Sequence, residues 1–143
     1  MSSAQEQLQN LQKIGKLKAE PPNQSEFDGL LRSAKRKLPD AENAALSPDS
    51  RFILAYDAAH SLALAALRWH GFRADTRYIV IQVLAHTVSF QTAKWRFLDD
   101  CHQKRNAALY DGQSFDDEQL IKELIAVTKE LQAAVEALGP VRS

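Results

Sequence analysis

From Arg51 to His70, apolar residues fall on nearly every side of a helical wheel, and no other stretch restricts the fold as much. Phe52, Ala55, Tyr56, Ala59, Leu62, Ala63, Ala66 and Leu67 make one wide face, while Ile53, Leu54, Leu64 and Ala65 cover the flanks. A helix that is apolar nearly all round must be enclosed by other elements, which places it at the centre of a helical domain. Asp49 or Ser50 suits its start. Gly71 suits the left-handed residue just past its end, with Phe72 packing back on the last turn.

The flanking segments also read as helices. Leu8, Leu11, Ile14 and Leu17 recur at three-residue steps and predict a polar amphipathic helix from Ala4 to about Lys18. Glu20-Pro21-Pro22-Asn23 breaks it. Ser25 is the expected cap of a helix from Glu26 to Leu38, with Asp28 completing a capping box and Phe27, Leu30, Leu31, Ala34 and Leu38 inward. Pro39 is expected to end it, and Asp40 to Pro48 to connect. Between Tyr78 and Phe90 the β-branched Ile79, Val80, Ile81 and Val83 would suit a strand. The length and the Ile81-Leu84-Val88 spacing favour a helix, because no second strand-like segment is present to satisfy a lone strand's backbone. Thr92 to about Leu109 is a charged helix. The last helix runs from Asp116 to Leu138, with Leu120, Leu124, Val127, Leu131, Ala134 and Leu138 inward and acidic residues at its positive end. The expected fold is all-α: an antiparallel up-down bundle of four principal helices over residues 45–140, with residues 1–40 an N-terminal helical extension packed outside it.

Composition narrows the function. Lys plus Arg and Asp plus Glu both number 18 in 143 residues, so contact with nucleic acid would have to come from a local basic patch. Cys101 is the single cysteine, which rules out an intrachain disulfide. The first residues lack a basic stretch followed by an apolar one, and the apolar run Tyr78–Phe90 is too short to span a bilayer. A cytoplasmic protein without membrane contact is expected. Glycine-rich phosphate loops, paired cysteines, His-Glu-x-x-His and Gly-x-Ser-x-Gly are all missing. His60, His70, His86 and His102 are spread over three helices with no Glu-x-x-His pair, so neither metal nor cofactor is expected. His60 reads as a hydrogen-bonded core histidine, His86 as core and His70 as a helix-end residue. Trp69 and Trp95 read as core.

One run suggests chemistry: Lys104-Arg105-Asn106-Ala107-Ala108-Leu109-Tyr110-Asp111, where a helix ends. It combines a guanidinium fork, an ammonium and an amide, which suits recognition of phosphate. The competing reading is a solvated charged turn in which Arg105 pairs with Asp100 or Asp111. His102, three residues before Arg105, shares its helix face. Lys94 and Arg96 could extend a basic strip along the same helix.

Two segments together resemble HEPN domains. Arg51 to Leu67, with Tyr56-Asp57-Ala58-Ala59-His60 inside it, looks like the first core helix of that family. Asp100-x-x-x-Lys104-Arg105-Asn106-x-x-x-Tyr110-Asp111 looks like its later Arg-x(4–6)-His segment, often Arg-Asn-x-x-x-His. Their separation by one helix also agrees, and the resemblance spans roughly residues 45–138.

The resemblance implies a bundle that dimerises with two Arg-bearing helix ends across a cleft. Many HEPN domains are metal-independent ribonucleases of toxin–antitoxin and other defence systems, and others are inactive RNA-binding or protein-interaction modules. Arg105 would be the phosphate ligand, with Lys104 and Asn106 as polar neighbours on the nucleic acid. In active members a histidine handles the proton of the attacking ribose 2′-hydroxyl. Tyr110 stands at that position here, and a phenol with an ordinary pKa near 10 is a poor base at neutral pH. His102 is the candidate substitute. The leading expectation is a homodimeric RNA- or partner-binding module with a degenerate nuclease motif. Its rivals are an active endoribonuclease using Arg105 with His102 or Tyr110, and an interaction bundle that binds a protein (antitoxin-like) without touching nucleic acid.

Overall fold

A computed structural model describes residues 3–110, 112 and 117–141, apart from the side chains of Leu109 and Tyr110. Asp111 and Asp116, both used in the sequence reading, lie outside the described residues. The fold is all-α, with seven helices and one two-stranded ribbon among the described residues.

Helix α1 (Ala4–Lys13) is capped by Ser3, whose hydroxyl accepts from the Glu6 amide at 3.1 Å. It stops five residues before the expected end. Gly15 takes φ +81°, Gly15 N–H bonds the Gln12 carbonyl at 3.0 Å and Lys16 N–H bonds that of Leu11 at 2.9 Å, the Schellman pattern. Past this stop the stripe splits: Leu8 and Leu17 are buried, whereas Ile14 is 68% exposed. Leu17 leads into β1 (Lys18–Ala19), which pairs antiparallel with β2 (Phe72–Arg73), a ribbon the sequence did not suggest.

Helix α2 (Gln24–Ala41) begins earlier than expected, because Asn23 rather than Ser25 caps it by accepting from the Glu26 amide at 2.9 Å. It also runs through Pro39. The proline forfeits one amide donor, but Leu38 and Ala41, buried on either side, hold the final turn in the core. Helix α3 (Pro48–Trp69) is the central one. Ser47 caps it and Pro48 occupies its first turn, where no amide donor is missed. Gly71 takes φ +86° after its end and Phe72 is buried, as the sequence indicates.

The segment expected as one helix over 78–90 is instead α4 (Arg77–Gln82) and α5 (Leu84–Thr87), joined at Val83. A turn follows in which Ser89 takes φ +52° and Phe90 N–H bonds the Leu84 carbonyl at 3.0 Å. Val80, Ile81, Val83 and Leu84 all reach the core from these two short helices. Helix α6 (Thr92–Tyr110) and α7 (Glu118–Glu136) complete the chain. The buried stripe of α7 is Ile121, Leu124, Ile125, Thr128, Leu131 and Val135, so it is rotated from the expected one. Leu120, Val127 and Leu138 pack only at its margin.

α3 touches α2, α4, α5, α6 and α7. Its most extensive partner is α2, and Phe27, Ala34 and Leu38 belong to the same core as α3. The segment expected outside the bundle therefore reaches into it. Arg68, buried near the end of α3, fixes this joint: Nε donates to Glu26 at 2.7 Å, Nη1 to the carbonyls of Glu20 and Phe72, and Nη2 to that of Pro21. At the other end, Arg51 donates to the Ala41 carbonyl and to Glu118, joining α2, α3 and α7. Trp69 donates to the Gly139 carbonyl and holds down the C-terminal segment.

Arg68→Ala would strand those carbonyls and Glu26 around a vacated site. Unfolding in urea should show a loss of about 3 kcal/mol, the scale for removing one partner of a buried pair. A loss below about 1 kcal/mol would mean the chain ends dock without it.

Candidate functional site

The polar centre of the molecule lies where α6 crosses α3. On α6, His102, Arg105 and Asn106 follow one another at helical spacing. On α3, Tyr56 and Asp57 meet them. The Tyr56 hydroxyl is 3.0 Å from His102 Nδ1, and Asn106 Nδ2 is 3.4 Å from His102 Nε2. An amide nitrogen only donates, so in this orientation Nε2 is the acceptor. Nδ1 then carries the proton and donates it to the phenol oxygen. Both ring nitrogens are engaged, and burial lowers the pKa of the imidazole, with Arg77 and Arg105 adding to the effect. His102 is thus held neutral.

Arg105 turns toward α3. Its Nε donates to Asp57 Oδ1 at 3.2 Å, and its guanidinium carbon stands 5.7 Å from the centre of the Tyr56 ring. The side chain is only 12% exposed. Among the described residues its partner is Asp57 of the central helix and not Asp100, while Asp111 lies outside the described residues. Among the described residues its Nη groups donate to no acceptor.

Three further side chains surround this cluster. Arg77, at the start of α4, places Nη1 3.9 Å from Asp57 Oδ1. The His60 ring lies 6.5 Å from that of Tyr56, and among the described residues it makes no hydrogen bond, contrary to expectation. Burial, then the positive charge of Arg77 and Arg105, push its pKa down to about 4. Burial raises Tyr56 to about 12, so the phenol keeps its proton. Asp99 Oδ1 is buried without a hydrogen bond, and desolvation raises its carboxyl pKa.

The other residues singled out from sequence are dispersed. Lys104 is exposed, and Lys94 pairs with Glu130 of α7 at 2.6 Å. Arg96 lies over the Trp95 ring. No continuous basic strip forms, since Lys94 and Arg105 each engage a carboxylate on a different helix. His70 donates from Nε2 to the Thr87 carbonyl at 2.8 Å, while His86 and Trp95 help line a cavity with Leu11 and Val83. Tyr110 is the last residue of α6, and its side chain lies outside the described residues. Burial drives the Cys101 thiol up to about 12, making it inert as a nucleophile. Among the described residues no three His, Cys, Asp or Glu side chains converge to hold a metal ion, and no helix is long and apolar enough to cross a membrane.

Sequence reasoning placed His102 beside Arg105 but assigned no role to Asp57 or Arg77. Asp57 lies one residue after Tyr56, inside the stretch that carries the resemblance, and its charge on an otherwise apolar helix was the available signal. Arg77 carries no such signal, because it reaches the cluster only through the packing of α4 against α3 and α6. No family model, curated protein or solved structure matches this chain.

The neutral histidines give the fold an acid limit. A histidine whose pKa is lowered by folding adds stability above its unfolded value near 6.5, and that stability is lost as the pH falls through the folded value. For His60 the window runs from about 6.5 to about 4, and His102 is shifted the same way. The raised Asp99 carboxyl opposes the change, since its protonated form is the one folding favours. Thermal denaturation should show a loss on the order of 2 kcal/mol from pH 7 to pH 4. His60→Gln should remove most of this slope, and an unchanged slope in that variant would assign the effect elsewhere.

Proposed function

We propose that this protein is a HEPN-like helical module that acts as a homodimer and binds RNA through the α6 face bearing Lys104, Arg105 and Asn106, with weak or no nuclease activity. One observation carries the reading: the two segments that separately resemble the family meet in space. Tyr56 and Asp57 from the first contact His102, Arg105 and Asn106 from the second. A guanidinium steered by a carboxylate can donate to a phosphodiester oxygen, while the neutral imidazole and the amide beside it can hydrogen-bond a ribose.

The same geometry argues for slow chemistry. A general base needs a free lone pair at the proton it removes, and His102 Nε2 already accepts from Asn106. Using it would require that 3.4 Å bond to open. The RNA involved, and a place in a defence or toxin–antitoxin type system with a protein partner, extend the reading from the family resemblance alone.

A second reading draws on the Arg105–Asp57 ion pair itself. If that pair only fastens α6 to α3, the molecule is an interaction bundle that binds a protein partner and no nucleic acid.

Filter retention of a fluorescein-labelled single-stranded RNA, with the same RNA run on a denaturing gel, separates these readings. The proposal expects retention that falls steeply between 50 and 200 mM salt, as for any phosphate-led contact, and at most slow cleavage. Arg105→Ala should abolish both while the fold survives, and light scattering should give the mass of a dimer. A folded wild type that retains no RNA at low salt would leave the interaction bundle standing.

A further inference from the structure

Arg77 belongs to neither segment of the family resemblance, yet it converges on the same atom as Arg105. Asp57 Oδ1 lies 3.2 Å from Arg105 Nε and 3.9 Å from Arg77 Nη1. That Arg77 nitrogen is buried and makes no hydrogen bond among the described residues. Two guanidiniums from different helices thus approach one carboxylate oxygen, and only one of them bonds it.

The charge balance around that oxygen is unequal. Among the described residues two guanidiniums meet one carboxylate, an excess of one positive charge, with His60 and His102 held neutral beside them. Among the described residues Asp57 is the carboxylate that lies within 4 Å of both guanidiniums. The cluster is partly open to solvent: the Arg77 side chain is 38% exposed and that of Asp57 26%. An anion with two equivalent oxygens would give each guanidinium an oxygen of its own. An internal RNA phosphodiester presents that pair of oxygens on the ligand the reading above assigns.

We propose that Arg77 and Arg105 form a two-arginine clamp for an internal phosphodiester of RNA, and that in the free protein Asp57 occupies the clamp as a built-in competitor. This rests on the RNA-binding reading above and adds to it a second phosphate ligand and a brake. When RNA binds, the phosphodiester takes the Nε–H that Asp57 now accepts, and the carboxylate retreats toward solvent.

The test uses the full chain and salt-dependent retention of a fluorescein-labelled single-stranded RNA. Arg77→Gln should weaken binding about 10-fold and lower the slope of log K against log salt by about 1, as for one lost phosphate contact. Asp57→Asn, by removing the competitor, should tighten binding about 3- to 10-fold. Removing the 5′-phosphate from the RNA should change nothing, and a loss of binding on its removal would overturn the internal phosphodiester as ligand. If Arg105→Ala abolishes retention while Arg77→Gln leaves both affinity and salt slope unchanged, the clamp fails and the RNA-binding reading survives. If neither the wild type nor Asp57→Asn retains RNA, both fail. Asp57→Asn also removes the ion pair that ties α6 to α3, so Arg77→Gln, at a partly exposed site, decides the clamp independently.

Discussion

The guanidinium of Arg68 is the joint on which the packing of the N-terminal third depends. Its five N–H groups face five acceptors: Glu26, the carbonyls of Glu20, Phe72 and Pro21, and the Glu20 carboxylate at 3.3 Å. A charge buried this deeply is tolerated only when every donor is matched. The converse holds for the chain it binds. Residues Glu20 to Asn23 cannot be helical around Pro21 and Pro22, so their carbonyls need donor partners from outside the segment. Arg68 supplies them. The β1–β2 ribbon and the Asn23 cap then set where α2 starts, and α2 lies against α3 along the bundle.

Two arginine clusters can now be compared. Around Arg68 and Arg73, two guanidiniums meet Glu20 and Glu26, and the charges cancel. Nothing in that cluster needs a ligand, and its hydrogen bonds, most between 2.7 and 3.0 Å, make it a fastening. Around Asp57, among the described residues, two guanidiniums face a single carboxylate and only one of them bonds it. The difference lies in the count of carboxylates and in the geometry, and it separates a structural network from a place where an anion would be welcome.

What could be read from the sequence was local. The central helix, its Gly71 stop, the Phe72 contact and the helical nature of the charged segment after Thr92 all rest on neighbours within a few residues. So does the pairing of His102 with Arg105 on one face. What could not be read depends on distant partners. Pro39 stays inside α2 because Leu38 and Ala41 are buried against other elements. The 78–90 segment breaks at Val83, where no proline or glycine marks a stop. The stripe of α7 rotates to present Ile121, Leu124 and Ile125 to α3 and its neighbours. Asp57 and Arg77 acquire their meaning only when α3, α4 and α6 come together.

Helix α6 is where this distinction bears on function. Among its described residues only Leu98 and Cys101 are fully buried, so apolar burial holds it weakly compared with α3. Much of its attachment is polar: Tyr56 to His102, Asp57 to Arg105, and Glu130 to Lys94. Exposed ion pairs contribute little, which leaves the two contacts to α3 as the significant ones. Each uses a side chain that would also face a bound phosphate. Whatever draws Arg105 away from Asp57 therefore acts on the seating of α6 as well as on the site. Binding energy spent there is partly offset by the lost contact, and the affinity of the face reports a competition between an internal carboxylate and an external anion.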